Sequence, residues 1–234
     1  MRIRAAIVGL VVVATALLTA CEPANSSSSG ALQPTQSPSN TPRATATPAP
    51  TPPPALTVEK VGAVATPSGF MAFAVIDNPS GQTAMDVKIQ ISAVGPGGQV
   101  LTRRSGGIPR IGPGQRDAVA VPFPVGRTLP TQFVASIPSV SWSADGTTDV
   151  AQVAGANFLQ DARTPGVRVH LVSHAPRAIA VSVTAVCWDS AGNIRGGGSR
   201  TVMVGPEAQG HDATVAVAVS AVPTRCDAYA VTTS

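Results

Sequence analysis

Three histidines are the first candidates for chemistry in this 234-residue chain. His170 and His174 are four residues apart, a spacing that chelates a metal ion on a helix, and His211 stands beside Asp212 in a predicted loop. On a strand, the same separation places two side chains on one face but about 13 Å apart, which is too far for two ~2.1 Å metal bonds. We therefore expect surface or turn histidines and no metal site.

Other catalytic patterns are also missing from the sequence. The glycine run 196–198 lacks the lysine and the helix start of a phosphate-binding loop, so we expect it to let two strands approach or to form a bulge. There is no G-x-S-x-G, no H-E-x-x-H and no paired-carboxylate arrangement among the twelve acidic residues. The sequence therefore predicts no catalytic residue and no cofactor.

The N-terminus has the pattern of an export signal. Two arginines precede the uncharged segment 5–20, which as a helix would span about 24 Å and not the ~30 Å hydrocarbon core of a bilayer. The segment ends in Leu18, Thr19, Ala20 and Cys21, which resemble a bacterial lipobox. The resemblance implies that lipoprotein signal peptidase recognises the first three residues and that Cys21 carries a diacylglyceryl thioether. We expect 1–20 to be a signal peptide and the exported protein to be lipid-anchored on the extracytoplasmic face of the cell membrane.

The next segment is rich in proline, serine and threonine and offers little that a core could bury. We expect residues 21–56 to be a disordered linker. As a flexible coil, the 34 residues 22–55 would span roughly 30 Å, and as extended polyproline II they would reach about 105 Å. Such a linker would hold the following domains away from a membrane.

The rest of the chain repeats itself, with an offset that stays between 93 (111 to 204) and 98 (66 to 164). The best matching pairs of segments are 87–93 with 181–187, 98–100 with 192–194, 111–113 with 204–206, and 129–131 with 222–224. The repeat predicts two domains of about 90 residues, at 57–144 and 145–234.

Cys187 and Cys226 both lie in the second repeat. Two thiols outside the cytosol are expected to form a disulfide, and the alternative is a pair of buried free thiols. The bridge would close a loop of about 40 residues and contribute roughly 4 kcal/mol in the chain-entropy model. The first repeat has Ala93 and Phe133 at the corresponding positions, a small residue facing a large one.

Apolar and polar residues alternate within each repeat. Val87, Ile89 and Ile91 face one side of a predicted strand, and 181–187 repeats this pattern. Gly98 and Gly192 are expected to take a positive φ in the hairpin that follows. Further strands are predicted at 71–76, 119–123, 167–172 and 215–219. Short strands at this spacing predict an all-β fold of two tandem Ig-like antiparallel β-sandwich domains, with a small barrel as the alternative.

Segment 181–194, with the glycines that follow it, resembles the FxLYD family of small bacterial Ig-like domains. The Phe, Leu, Tyr and Asp positions of that motif are filled by Ala185, Cys187, Trp188 and Asp189 in the second repeat and by Ile91, Ala93, Val94 and Gly95 in the first. The first repeat thus lacks the aromatic–Asp pair. The family implies an exported, often lipid-anchored module without catalytic residues.

The first repeat is the more basic one. Residues 57–144 contain seven Lys/Arg and four acids, 7 − 4 = +3, and include Arg103, Arg104, Arg110 and Arg116. Without the two signal-peptide arginines the whole chain has 14 − 12 = +2, which is too little for nucleic-acid binding. These arginines are expected in a solvated loop or in a weak contact with anionic lipid headgroups or wall polymers.

Together these patterns predict a non-enzymatic, lipid-anchored bacterial cell-surface protein that presents two Ig-like modules. Its partners would be membrane lipid through the anchor and an unknown protein or envelope polymer, or the modules would act as structural spacers. One alternative, an accessory subunit of a membrane transport or secretion complex, would need a large exposed apolar patch on a sheet face. Another, an enzyme or sensor, would need a polar cluster in a cleft between the domains.

Overall fold

The computed structural model describes residues 55–144, 150–160, 164–206 and 210–233. The strands in these ranges are β1 Thr57–Thr66, β2 Gly69–Asp77, β3 Thr83–Val94, β4 Val100–Ile111, β5 Arg116–Pro124, β6 Gln132–Ser143, β7 Ala151–Leu159, β8 Gly166–Ser173, β9 Ile179–Trp188, β10 Ile194–Val204, β11 His211–Ala216, β12 Ala218–Val219 and β13 Arg225–Thr232. This confirms the predicted all-β architecture. The predicted signal peptide, Cys21 and nearly all of the linker lie outside the described residues. Within the described ranges, no helix has the length and apolar character needed to cross a membrane.

The first six strands form two three-stranded antiparallel sheets that enclose an apolar core. One sheet has the order β1-β2-β5 and the other β4-β3-β6. The predicted alternation is visible in β3, where Val87, Ile89 and Ile91 are fully buried while Asp86 and Lys88 are exposed. Because successive side chains of a strand point to opposite faces, one face of β3 covers the core and the other meets solvent.

The C-terminal half has the same connectivity. Its sheets have the orders β7-β8-β11 and β10-β9-β13, and the short β12 adds to the edge of β10. Strand β9 takes the place of β3, and its Val181, Val183, Ala185 and Cys187 are buried in a second core. The two halves are therefore the same six-strand arrangement, as the repeat predicts.

The turns after β3 and β9 have the predicted conformation, and one predicted strand is divided in two. Gly98 and Gly192 have φ values of 82° and 72°, which confirms the left-handed conformation predicted for both hairpins. The predicted strand 215–219 is divided into β11 and β12. The division occurs where the chain changes its partner strand: the Val217 N–H still donates to the carbonyl oxygen of Pro165 at 3.0 Å in the β8 register, whereas Ala218 and Val219 pair with β10.

A third apolar core joins the two halves, which belong to one compact unit. Phe73 and Val75 of β2 lie against Val186 and Trp188 of β9 and Ile194 of β10, and all five are buried. These side chains stand on the faces of their strands that point away from the two sandwich cores. Strands β2 and β9 are consequently covered on both faces, which explains their nearly unbroken runs of buried residues.

Strand β10 crosses the β1-β2-β5 sheet and does not run along it. Gly62 of β1 and Phe73 of β2 are direct cross-strand partners. Ile194 of β10 lies against Gly62, and Gly197 of the same strand lies against Phe73, so β10 passes from one strand of the sheet to the next. A Cβ at Gly197, where φ is 158°, would lie 2.7 Å from Phe73 Cε1 and closer still to the carbonyl oxygen of Ala185. The glycine run therefore permits a close approach between strands, as predicted.

A new disulfide can be introduced into the N-terminal half as a test of the repeat. Ala93 and Phe133 are cross-strand partners in β3 and β6, as Cys187 and Cys226 are in β9 and β13. Such partners have Cα atoms within about 5.5 Å, so Ala93→Cys with Phe133→Cys is expected to form a bridge spontaneously. Stability should change little, because about 4 kcal/mol from loop closure offsets roughly 3 kcal/mol lost with the ring.

Intact-mass measurement after thiol alkylation reports the bridge directly. The oxidised double variant should take up no alkylating reagent, while each single variant, as a control, should take up one equivalent. Two alkylated thiols in the folded double variant would contradict the equivalence of the two strand pairs.

Candidate binding site

Three connections meet at one end of the N-terminal sandwich, here named the apical end: residues 67–68 between β1 and β2, 95–99 between β3 and β4, and 125–131 between β5 and β6. The opposite, basal end contains residues 78–82 and 112–115. At the basal end the buried Asn78 side chain donates to the carbonyl oxygens of Gln82, Ile111 and Gly112 at 2.8–3.0 Å. The hydrogen bonds of the Asn78 side chain thus fix the basal connections.

A cavity of about 280 Å³ opens between the two sheets at the apical end. Phe70, Ala93, Leu101 and Phe123 form its apolar walls, together with the first half of the β5–β6 loop. The Phe133 ring packs against both phenylalanines of the wall, with centroids 5.8 Å from Phe70 and 5.3 Å from Phe123. The two phenylalanines that line the cavity therefore belong to a cluster of three aromatic rings.

Exposed apolar side chains surround the cavity mouth. Val125 and Leu129 in the β5–β6 loop are 63% and 64% exposed, and Val100 and Val134 at the adjoining strand ends are also exposed. In the described ranges seven large apolar side chains are exposed, and these four share one end. Single exposed apolar residues are ordinary on a protein surface, whereas a cluster beside an apolar cavity indicates a binding surface.

The charges of this sandwich are separated along its length. Arg103, Arg104 and Arg127 are exposed near the apical end, and no ion pair within the described residues involves them. The four acids all lie in the basal halves of their strands, at Glu59, Asp77, Asp86 and Asp117. The apical end is therefore apolar and positively charged.

At the corresponding end of the C-terminal half, a disulfide and the hydrogen bonds of one carboxylate hold the connections together. Cys187 and Cys226 form the predicted disulfide, with Cα atoms 4.0 Å apart. Asp189 accepts the backbone N–H groups of Asn193 (2.8 Å) and Ala191 (3.0 Å) and the Arg195 Nε–H (2.8 Å). The hydrogen bond from the Asn193 backbone, together with those from the Arg195 and Asn193 side chains, lowers the pKa of Asp189 to about 2. Asp189 thus organises a turn that the first half builds without an acidic residue.

The histidines do not converge on a site. His170 Nδ1 lies 2.8 Å from Asp212 Oδ1 on the exposed face of β8 and β11, and this hydrogen bond lowers the pKa of Asp212. His211 begins β11, so its predicted position in a loop is wrong; pairing with Leu171 of β8 draws it into the sheet. Within the described part of the chain, no three His, Cys, Asp or Glu residues are grouped so as to hold a metal ion.

Two clefts lie at the margins of the core between the halves. One, of about 280 Å³, carries the hydroxyls of Ser182, Thr184 and Ser199, and none of the described residues that line it has a titratable side chain. The other, of about 220 Å³, is lined by Arg116 and Tyr229, among others. Arg116 is already paired with acidic side chains at 3.1 and 3.7 Å, and burial raises the pKa of Tyr229 well above its usual value.

No protein-family model matches the chain, and no curated protein matches it. The sequence pattern singled out some apical residues, including Ala93, Phe133, Arg103 and Arg104, but it did not indicate that they share a binding surface with Phe70, Val125 and Arg127. One signal in the sequence could have indicated this surface. Val125 and Leu129 are apolar residues on either side of Arg127, in a segment whose glycine and proline predict an exposed loop.

Proposed function

We propose that this protein is a non-enzymatic, lipid-anchored binding protein of the bacterial cell envelope. It presents two Ig-like modules, and the apical end of the first is its binding surface. The observation that carries this proposal is the co-location of an apolar cavity, protruding Val125 and Leu129, and three exposed arginines at an end where the first sandwich's described residues include no acid. The arginines are Arg103, Arg104 and Arg127, and no ion pair among the described residues involves them. Apolar area combined with one sign of charge is typical of surfaces that bind partners.

The disulfide supports an extracytoplasmic location. Cys187 is fully buried and bonded to Cys226. Structural disulfides persist in oxidising compartments and are rare where thiols are kept reduced. The export signal and lipobox-like segment that end at Cys21 would deliver the protein to such a compartment and attach it to the membrane.

The chemistry of the clefts supports a role without catalysis. Among the described residues that line the first cleft, no side chain beside the serine and threonine hydroxyls could act as a base. In the second, Tyr229 is protonated at neutral pH as an ordinary tyrosine is, burial raises its pKa further, and Arg116 is occupied by Glu59 and Asp77. An enzyme or sensor with a site between the halves therefore finds little support.

A second candidate is an accessory subunit of a membrane transport or secretion complex. That role would use an exposed apolar patch on a sheet face, whereas the clustered apolar residues lie at the loop end of the sandwich. The outward face of the β1-β2-β5 sheet is instead covered by the C-terminal half. The envelope-binding function is favoured for this reason.

Replacing Cys21 tests the anchor. Without its thiol the chain cannot receive a diacylglyceryl group, so Cys21→Ala is expected to lose acylation and the acylated mass. Expressed in a bacterium that processes lipoproteins, the wild-type protein should partition into the detergent phase and the cleaved variant into the aqueous phase.

Ser26→Ala, a comparable change in the linker, serves as the control and should leave partition unchanged. A wild-type protein whose mass carries no acyl groups, or a Cys21→Ala variant that keeps the acylated mass, would contradict the lipoprotein assignment.

A further inference from the structure

We infer that the apical end docks directly on an anionic lipid surface, with Val125 and Leu129 inserted among the headgroups and the arginines on the phosphates. The inference deepens the proposed function, because it names the partner class of the same surface. It rests on that proposal only for the anchor that holds the protein beside a membrane.

The chemistry of the apical end fits a bilayer interface. Val125 and Leu129 protrude from a loop and have no core to enter, so inserting them into the apolar boundary removes their exposed area from water. Arg103, Arg104 and Arg127 would meet negative charge, and a guanidinium binds phosphate oxygens in bidentate fashion. The acids lie at the basal end, away from the negatively charged surface that would repel them.

Among the described residues, the C-terminal half does not contribute to the apical cavity. That half contacts the first sandwich at mid-strand, where Ile194 and Gly197 lie against Gly62 and Phe73. Its other contacts lie in the rest of the core between the halves and at the two clefts that border this core. Every residue lining the apical cavity comes from the first sandwich.

The length of chain before the structure permits this orientation. Strand β1 begins at Thr57 at the basal end, and its ten residues extend about 33 Å toward the apical end. The predicted linker would span roughly 30 Å as a coil and about 105 Å when extended. It is therefore long enough to pass alongside the sandwich and let the apical end face the bilayer that holds Cys21.

Charge argues against a second copy of the chain as the occupant. Two apical ends brought together would place Arg103, Arg104 and Arg127 opposite the same three cations. Like charges that face each other across an interface oppose association.

The test uses the lipidated protein reconstituted in phosphatidylcholine vesicles with or without phosphatidylglycerol. An environment-sensitive fluorophore is attached at Leu129→Cys or at Val222→Cys. The two positions correspond in the repeat and are equally exposed, at 64% and 65%, but Val222 lies on the half closed by the disulfide. Because both side chains are exposed, neither label should prevent folding.

Docking predicts a blue shift and an increased intensity at position 129 when phosphatidylglycerol is present, reversed by high salt, with no change at 222. Arg103→Gln with Arg104→Gln should weaken this response, whereas the exposed Arg177→Gln should not. The same response in neutral vesicles, or none in either, would overturn the inference. A shift that follows protein concentration and not lipid composition would also overturn it, in favour of self-association.

Failure of the anchor gives a different result. If Cys21 is not acylated, the protein will not float with vesicles of phosphatidylcholine alone in a density gradient, and the proposed function fails. If the protein floats with the vesicles and the probe at 129 stays in water, only the docking inference fails.

Discussion

Replacing both Cys187 and Cys226 with alanine is expected to lower the free energy of unfolding by about 4 kcal/mol. The bridge joins residues 39 positions apart, so its removal enlarges the conformational freedom of the unfolded chain. The loss is large for a domain of this size, since total stability is typically only about 5–15 kcal/mol. Urea unfolding of the mature chain with Cys21→Ser, which avoids the anchor, measures the change.

The reduced protein provides the control for this prediction. Wild-type protein unfolded in the presence of a reducing agent should match the double alanine variant, because both lack the same cross-link. The double Cys variant of the N-terminal half, at Ala93 and Phe133, should respond to the reductant in the same direction. A double alanine variant within about 1 kcal/mol of the oxidised wild type would contradict a stabilising role for the bridge.

Phe73→Ala is expected to cost about 3–5 kcal/mol and to uncouple the two halves. The Phe73 ring is fully buried in the core between them and lies against the backbone of Gly197. Its removal leaves a cavity that the two crossing sheets cannot close, since Val75 and Trp188 on either side are also held by the core. The single unfolding transition expected for the wild type should separate into two.

Two tryptophans make the uncoupling measurable. Trp188 lies in the core between the halves, and Trp142 lies on β6 of the first sandwich. Each tryptophan is observed alone, in a variant in which the other is replaced by Phe. In Phe73→Ala, the fluorescence of Trp142 and that of Trp188 should change at different urea concentrations. Phe70→Ala, half-buried on the same strand, is the matched control and should cost less. A loss below about 1 kcal/mol for Phe73→Ala would show that the core does not stabilise the unit.

Periodicity was sufficient for the strands with a clean alternation. In β3 the local pattern and the tertiary environment agree, because one face lies on a sandwich core and the other is more exposed. In β9 the predicted apolar face also lies on a sandwich core, but the opposite face is covered as well. Strands β1, β6, β7 and β13 were not predicted individually, since many of their residues are half-buried and the apolar alternation is blurred. The turn glycines were predictable because a positive φ is costly for residues with a Cβ.

The core between the halves could not be derived from the repeat. Val186 and Trp188 occupy the face of β9 that an isolated sandwich would turn to solvent. The alternating pattern predicts polar residues at these positions and therefore does not explain two large apolar side chains. Their burial depends on Gly62 and Gly197 lying where β10 crosses the first sandwich. That crossing is a relation between residues more than 130 positions apart (197 − 62 = 135).

The sequence alone determined the all-β class, the repeat and the cysteine pair, because strand periodicity, turn glycines and thiol chemistry are local properties. Only the tertiary structure decided that Val125, Leu129, Phe70 and the arginines share one end of a sandwich, while the acids are gathered at the other. Antiparallel strands alternate in direction, so residues near the start of one strand and the end of the next become neighbours. Residues that are scattered along the chain become one surface only after the strands have paired.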